Sequence, residues 1–145
     1  MNSYKYCAII IIALFLSLTC LYSQEKKVNA ESVKKNDIIK LIEDGIIKNN
    51  VNSFSRYFER NIFLTLRDSE SGYFSANQAE YILQNYFDQH KLIKFNFSTV
   101  DVTKTPFYAT GGAIMSYKGS MEQTQIYVSL TYVKGMYLIT QFCIY

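Results

Sequence analysis

Apolar positions recur with the period of an α-helix in two segments of the N-terminal half of the chain. From Asp37 they fall at Ile38, Ile39, Ile42 and Ile46. In "YFSANQAEYILQNYFDQHK" a second apolar stripe follows Ser75 and Gln78, which have the spacing of a capping box. The stripe consists of Ala79, Ile82, Leu83, Tyr86 and Phe87. These patterns predict two amphipathic helices that bury one face each.

Between these helices lies "SFSRYFERNIFLTL", residues 53–66. Ser53 can cap a short turn of helix that presents Phe54, Tyr57 and Phe58 on one side. The following "NIFLTL" is typical of a strand. The charges of this segment, on Arg56, Glu59 and Arg60, fall off the aromatic side and are predicted to face water. We interpret "RDSESG" as a turn-rich connection to the second helix.

From Leu92 onward the period changes to two, which predicts a series of antiparallel strands. "IKFNFSTVDV" shifts phase near Ser98 and Thr99, as a strand with a β-bulge does. "FYATGGAIMSYKG" has its more apolar face at odd positions, and Gly111 and Gly112 in mid-strand favour a sharp bend over phosphate binding.

The last two predicted strands, "QIYVSLTYV" and "MYLITQFCIY", meet at Lys134 and Gly135. If Gly135 takes a left-handed conformation, one face carries Ile126, Val128, Leu130, Tyr132, Met136, Leu138, Thr140, Phe142 and Ile144. The opposite face is too apolar for ordinary exposure and suits a partner. We therefore predict a homodimer through the sheet, with these candidate contact residues: Tyr127, Thr131, Tyr137, Ile139 and Gln141.

The N-terminus has the parts of a secretory signal peptide. Lys5 precedes the apolar run "CAIIIIALFLSL", and polar "SQEKK" begins at Ser23. We predict a signal peptide over residues 1–23, a flexible tether over 24–36 and one domain over 37–145, exported to the periplasm or secreted. A retained N-terminal anchor, or a lipoprotein attached through Cys20, are the alternatives that we favour less.

The net charge and the cysteine and histidine content of the chain exclude several classes of function. The net charge is +3 without a basic block, so nucleic acid is not an expected partner. Cys143 is the only cysteine beyond the predicted signal, which excludes an internal disulfide. His90, the only histidine, lies near a predicted helix C-terminus and has no neighbouring ligand spacing, so we predict no metal and no cofactor.

Four segments in this order resemble a known family: "SFSRYFERNIFLTL", "YFSANQAEYILQNYF", "FYATGG" and "IYVSLTYVKGMYLITQFCIY". The family comprises small exported bacterial proteins catalogued as a domain of unknown function, in the nuclear-transport-factor-two-like, or cystatin-like, superfamily. The resemblance implies an α+β, cone-shaped domain with N-terminal helices packed on a strongly curved antiparallel sheet. It also implies an enclosed pocket and frequent homodimers, but no particular chemistry.

Enzymes of this superfamily place an Asp, often with Tyr or His partners, inside the cone. The predicted inward strand positions hold no Asp, Glu or His, so we assign no catalytic residue. Candidate pocket residues are Tyr57, Tyr86, Tyr117, Tyr132 and Thr140. We favour a non-catalytic domain that binds a small hydrophobic ligand or another envelope protein. The alternative is a small isomerase or lyase, of the ketosteroid-isomerase-like or polyketide-cyclase-like type, that uses tyrosine hydroxyls and Asp101.

Overall fold

A computed structural model describes residues 34–145. The predicted signal peptide, most of the tether and Cys20 lie outside these residues. Asp37–Tyr145 form one compact unit. Within the described part of the chain, no helix has both the length and the apolar character needed to cross a membrane.

Helix α1 covers residues 34–47, and its predicted apolar stripe is buried. The elements that follow are α2 (Asn52–Ser55), β1 (Phe58–Thr65), β2 (Ser71–Ser75), α3 (Ala76–Gln89), β3 (Lys91–Phe95), β4 (Thr99–Asp101), β5 (Phe107–Tyr117), β6 (Ser120–Val133) and β7 (Met136–Ile144). The strands form one curved sheet in the order β2-β1-β7-β6-β5-β3, with β4 also paired to β5. The α+β architecture predicted from the sequence is therefore confirmed.

Helix α3 begins as its sequence predicts. The Ser75 hydroxyl and the Gln78 side chain form both halves of a capping box, and the backbone N–H of Ser75 donates to Gln78 Oε1 at 3.1 Å. These contacts satisfy N–H groups that have no partner within the helix. The helix packs its apolar stripe against the sheet, where Ala79, Leu83 and Phe87 are buried.

Two features of the sheet differ from the sequence prediction. Strand β2 occupies "SGYFS", which we had divided between a turn and the start of α3. It is an exposed edge strand rich in Ser and Gly, so it lacks the buried alternation that identifies most strands. In addition, β1 pairs with β7 in parallel, whereas the other pairings are antiparallel.

A β-bulge in β7 changes which side chains face the helices. Ser129 pairs with Gln141 but the next residue, Leu130, pairs with Ile139, so Thr140 is the extra residue. Its hydroxyl donates to the Ser129 carbonyl at 3.2 Å. A single extra residue reverses the facing of every side chain beyond it.

The predicted facing is therefore wrong for the first half of β7. Tyr137 and Ile139 were expected on the partner face, but they are buried in the core at 7% and 0% exposure. Met136 and Leu138 were expected in the core. Instead Met136 is exposed and Leu138 is half-buried. Phe142 and Ile144, beyond the bulge, are buried as predicted.

The predicted phase shift between Phe97 and Val100 is a break between β3 and β4. There the chain crosses so close to β5 that a Cβ on Gly111 would overlap the carbonyl oxygen of Asn96. The Phe97 N–H at this break donates to Glu43 Oε1 of α1 at 2.7 Å. Gly111 therefore permits a close backbone approach, and Glu43 satisfies the donor that the broken ladder leaves.

Candidate functional site

A cavity of about 350 Å³ opens at the C-terminal end of α3. Three parts of the chain complete it: the connection between β1 and β2 at residues 67–70, the end of β5 at Tyr117, and Glu122 near the start of β6. From α3 it is lined by Tyr81, Ile82, Asn85, Tyr86, Gln89 and His90. We call it the Tyr86 cavity.

Three aromatic rings form one wall of the cavity, and we call them the tyrosine stack. The His90 ring lies between the rings of Tyr86 and Tyr117, with centroids 4.0 and 4.2 Å away and interplanar angles of 12° and 14°. Lys118 Nζ lies 4.8 Å from the centroid of the Tyr117 ring. Both faces of the imidazole are thus covered, and only its edge remains for a ligand.

The tautomer of His90 follows from its hydrogen bond. Its Nδ1 lies 2.9 Å from the carbonyl oxygen of Tyr86, which can only accept, so Nδ1 carries the proton. When the ring is neutral, Nε2 is therefore its hydrogen-bond acceptor. The backbone N–H of His90 donates to the same carbonyl, which fixes the residue to the last turn of α3.

The hydroxyl of Tyr86 is buried without a hydrogen-bond partner among residues 34–145. The residue is 4% exposed. Burial, followed by the negative charge of Glu122, raises the pKa of the phenol to about 12 against the opposing effect of Arg67. The groups whose charge acts on the phenol also line the cavity, so the hydroxyl lies close to the cavity but is closed off from solvent. It is a neutral donor at physiological pH, and leaving it unpaired is unfavourable.

Arg67 is held within the rim of the cavity. Its Nη1 donates to the carbonyl oxygen of Gln123 at 2.9 Å, and its Nε lies 3.6 Å from Asp68 Oδ2. The rim also carries the carboxylates of Glu70 and Glu122. The lining therefore holds three carboxylates and one guanidinium, and this excess of negative charge favours a ligand with hydrogen-bond donors or positive charge.

Two of the five predicted pocket residues meet at this site, namely Tyr86 and Tyr117. Tyr57 lies elsewhere, next to the Arg56 guanidinium at 5.0 Å, and its carbonyl accepts from the Ile139 N–H. Tyr132 is 55% exposed at the far end of β6, and Thr140 forms the bulge.

Of the residues predicted for the partner face, Tyr127, Thr131 and Gln141 lie on the side of the sheet away from the helices and are half-buried. The Tyr127 ring stacks on Tyr108 of the neighbouring strand at 5.7 Å. Tyr137 and Ile139 do not belong to this face, for the reason given above.

Asp101, the carboxylate that the alternative enzyme hypothesis requires, stabilises a turn. It accepts hydrogen bonds from both the hydroxyl and the backbone N–H of Thr103. These bonds, the hydroxyl first, lower the pKa of Asp101. It does not line the Tyr86 cavity. An Asx turn of this kind accounts for the residue without a catalytic role.

Sequence reasoning missed Arg67 and Glu122 and treated His90 only as a helix-end residue. His90 is four residues from Tyr86, a spacing that brings side chains together on a helix, and this signal could have paired them. Arg67 reaches the cavity from the connection between β1 and β2, and Glu122 reaches it from the start of β6; no local pattern identifies either residue. In the described residues, no group of three or more His, Cys, Asp or Glu could hold a metal ion.

A larger and more open groove of about 990 Å³ lies between α1, α2 and the start of α3. Its lining includes three acidic and three basic side chains: Asp37, Asp44, Glu80, Lys40, Lys48 and Arg56. The described residues place no buried, unpaired polar atom in it. The groove therefore shows no chemistry that selects a ligand.

Comparison with known proteins identifies the family. Residues 39–144 match the family described as "Domain of unknown function (DUF4783)". No curated protein matches the chain. A crystal structure of a DUF4783 family protein from Bacteroides uniformis ATCC 8492 superposes with a TM-score of 0.64 at 16% identity, covering 72% of this chain and 93% of that chain.

Two further solved structures share the fold. An NTF-2 like protein of unknown function from Shewanella oneidensis MR-1 gives a TM-score of 0.56 at 8% identity, covering 79% of this chain and 98% of that chain. A Bacillus subtilis protein with a provisional isomerase assignment gives a TM-score of 0.62 at 13% identity, covering 79% of this chain and 87% of that chain. The chain thus belongs to the DUF4783 family and has a nuclear-transport-factor-two-like fold, as its sequence predicted.

Proposed function

We propose that this protein is a non-catalytic, exported domain that binds a small molecule in the Tyr86 cavity. The observation that carries the proposal is the buried, unpartnered hydroxyl of Tyr86. A buried polar group without a partner destabilises the folded protein. Such groups are expected at functional sites, and Tyr86 is one of the residues that line the cavity.

The size and lining of the cavity support this function. Its volume of about 350 Å³ is within the range of small-molecule sites. The sequence led us to expect a small hydrophobic ligand. The rim of Arg67, Asp68, Glu70 and Glu122 instead favours a ligand that is polar at one end, with the aromatic wall contacting its apolar part.

The test is native mass spectrometry of the protein purified from the envelope of its own host. We expect a small molecule to be retained by the wild type and lost or weakened in Tyr86→Phe. Tyr73→Phe is the matched control, because it removes an exposed hydroxyl of β2 that does not line the cavity. A protein that carries no small molecule, under conditions that preserve non-covalent complexes, would refute ligand binding.

A second candidate function, that of a small isomerase, is favoured by the hydrogen bonding of His90. Its Nδ1 is held by the Tyr86 carbonyl, so Nε2 is free to accept a proton, which is the arrangement of a general base. Incubating the released ligand with the protein in deuterium oxide tests this candidate. Deuterium on a ligand carbon, lost in His90→Gln, would establish proton transfer, whereas its absence supports binding alone.

We also propose that the protein forms a homodimer through the sheet face that carries Tyr108, Tyr127, Thr131 and Gln141. Support comes from the stacked tyrosine pair and from the half-burial of side chains that suit a contact surface. Sedimentation of the wild type and of Tyr127→Glu tests this proposal. We expect a dimer that dissociates in the variant, and a wild-type monomer would contradict it.

A further inference from the structure

The hairpin of β6 and β7 extends past the strands on both sides of it. Strand β5 begins at Phe107, which pairs with Leu130, and β1 begins at Phe58, which pairs with Ile139. Residues 131–138 therefore pair only with each other. We call this segment the hairpin tip, and it forms a two-stranded extension at one end of the sheet.

Large apolar side chains are exposed on both faces of the hairpin tip. Tyr132 is 55% exposed and Met136 is 56% exposed. Tyr132 pairs with Tyr137, and Met136 pairs with Val133, so the two exposed side chains point to opposite faces of the ribbon. The Tyr132 ring lies 4.9 Å from the buried ring of Tyr137, which supports it from one side. Exposed apolar groups that are clustered in this way are typical of contact surfaces.

Positive charge surrounds the hairpin tip. The segments next to it are residues 56–60, which lead into β1, and residues 101–106, which lead into β5. Together with the tip they contain four cations and two carboxylates: Arg56, Arg60, Lys104 and Lys134, against Glu59 and Asp101. Asp101 is already bound to Thr103 and lies 3.7 Å from Lys104. The charge here is therefore net positive, which favours an anionic partner.

A second turn of the same kind provides an internal comparison. Two-residue Lys–Gly turns stand at both ends of β6, with φ of 50° and 83° at Lys118 and Gly119, and 48° and 91° at Lys134 and Gly135. Lys118 lies over the Tyr117 ring of the tyrosine stack. Within residues 34–145, Lys134 has no ion-pair or hydrogen-bond partner. The two turns thus have the same backbone, but only the lysine of the hairpin tip is available for another molecule.

We infer that the hairpin tip is a contact surface for an anionic membrane, with Tyr132 and Met136 among the lipid headgroups and Lys134 bound to lipid phosphate. Tyrosine suits the boundary between water and acyl chains because its ring is apolar and its hydroxyl is polar. Basic side chains are attracted to anionic lipid surfaces. This contact goes beyond the proposed function, because the tip lies at the opposite end of β6 from Glu122 of the Tyr86 cavity.

Vesicle co-sedimentation tests the inference. The protein without residues 1–23 is used, because the apolar run of that segment can itself bind lipid. One set of vesicles is phosphatidylcholine alone, and the other is an equal mixture of phosphatidylcholine and phosphatidylglycerol. We expect at least about tenfold tighter binding to the anionic vesicles, because several basic side chains act on the same surface. This binding should weaken with added salt.

Variants of the two Lys–Gly hairpins locate the contact. Lys134→Gln should weaken binding to anionic vesicles roughly fivefold, which is the effect of one basic residue near such a surface. Met136→Ser should weaken it by a similar factor, because about half of this apolar side chain would be buried in lipid. Lys118→Gln and Met121→Ser are the matched controls, since Met121 is 63% exposed beside the other turn. Both controls should bind as the wild type does.

Each other outcome overturns the inference. It is wrong if the protein does not bind anionic vesicles, or binds neutral vesicles equally well. It is also wrong if Lys118→Gln weakens binding as much as Lys134→Gln, because the protein would then bind through its overall charge. Sedimentation without lipid identifies a different occupant: if Met136→Ser or Lys134→Gln dissociates a dimer, the tip contacts a second copy of the chain. Lys134→Gln removes no packed side chain, so its result stands even if Met136→Ser impairs folding.

Discussion

The core of this protein is built differently at two neighbouring places on α3. At one, Phe54, Phe58, Phe87 and Phe142 form a phenylalanine cluster whose ring centroids are 5.9 to 6.3 Å apart. At the other, the tyrosine stack borders a cavity with a charged rim. Phe87 and Tyr86 are consecutive residues, so one helix turn serves both.

The difference separates the part that stabilises the fold from the part that is available for a ligand. The phenylalanine cluster is closely packed and contains no polar atom that needs a partner. The tyrosine stack holds a buried hydroxyl without a partner, which is unfavourable for stability. Local departures from good packing and hydrogen bonding of this kind are expected where a protein functions.

Removing a ring from the phenylalanine cluster should have the largest effect on stability. Phe142 is fully buried and contacts rings from both α2 and α3. We expect Phe142→Ala to lower the free energy of unfolding by about 3–5 kcal/mol, because the truncated ring leaves a cavity. Urea denaturation measures the loss. A change below about 1 kcal/mol would show that the cluster is not the stabilising part of the core.

Substitutions at the adjacent glycines of β5 test the packing of the sheet against which the phenylalanine cluster and the tyrosine stack lie. Gly111→Ala would bring a Cβ against the Asn96 backbone, whereas a Cβ on Gly112 meets nothing within 4 Å. We expect Gly111→Ala to cost about 1–3 kcal/mol through overpacking and Gly112→Ala to be nearly neutral. Thermal unfolding of the two variants compares them, and equal melting temperatures would contradict the close crossing of chains at Gly111.

The tyrosine stack should respond to alkaline pH. The pKa of Tyr86 is raised from 10.0 to about 12, so the unfolded chain releases this proton before the folded protein does. Stability from this group is therefore intact below pH 10 and is lost as pH rises toward 12. We expect the wild type to lose about 1 kcal/mol more than Tyr86→Phe between pH 9 and pH 11. Parallel pH dependences in urea denaturation would contradict burial of the phenol.

At neutral pH, removing the unpaired hydroxyl should change stability in the opposite direction. We expect Tyr86→Phe to raise the free energy of unfolding by about 1 kcal/mol while weakening the ligand. Thr124→Val is the control, because Thr124 Oγ1 is also buried without a partner among the described residues but does not line the cavity. It should gain stability without losing the ligand. A Tyr86→Phe variant less stable than the wild type would indicate that the hydroxyl has a partner in the folded protein.

The parts of the fold that local sequence determines were predicted well. The apolar stripe and capping residues of α3 are contained within its own residues, and the structure confirms both. The buried stripe of α1 and the strands of the C-terminal half follow from periodicity in the same way. Such signals need no knowledge of how distant segments meet.

The predictions failed where contacts between distant segments of the chain determine the structure. The bulge at Thr140 is defined by its pairing with Ser129 and has no Gly or Pro to indicate it. The Tyr86 cavity needs Arg67, from the connection between β1 and β2, and Glu122, from the start of β6. Periodicity predicted that Tyr86 and Tyr117 would face inward, but tertiary packing determines that His90 lies between them.

The parallel pairing of β1 with β7 has a consequence for how the chain folds. Leu64 pairs with Phe142 in the middle of the sheet, so β1 must pair with a strand that lies far from it in the sequence. Contacts between such distant residues close a long loop before they contribute stability, and they slow folding. A chain interrupted before Met136 would leave β1 without this neighbour and the phenylalanine cluster without its central ring. Strand β7 therefore controls the folding of the whole domain, because the middle of the sheet cannot form before β7 is present.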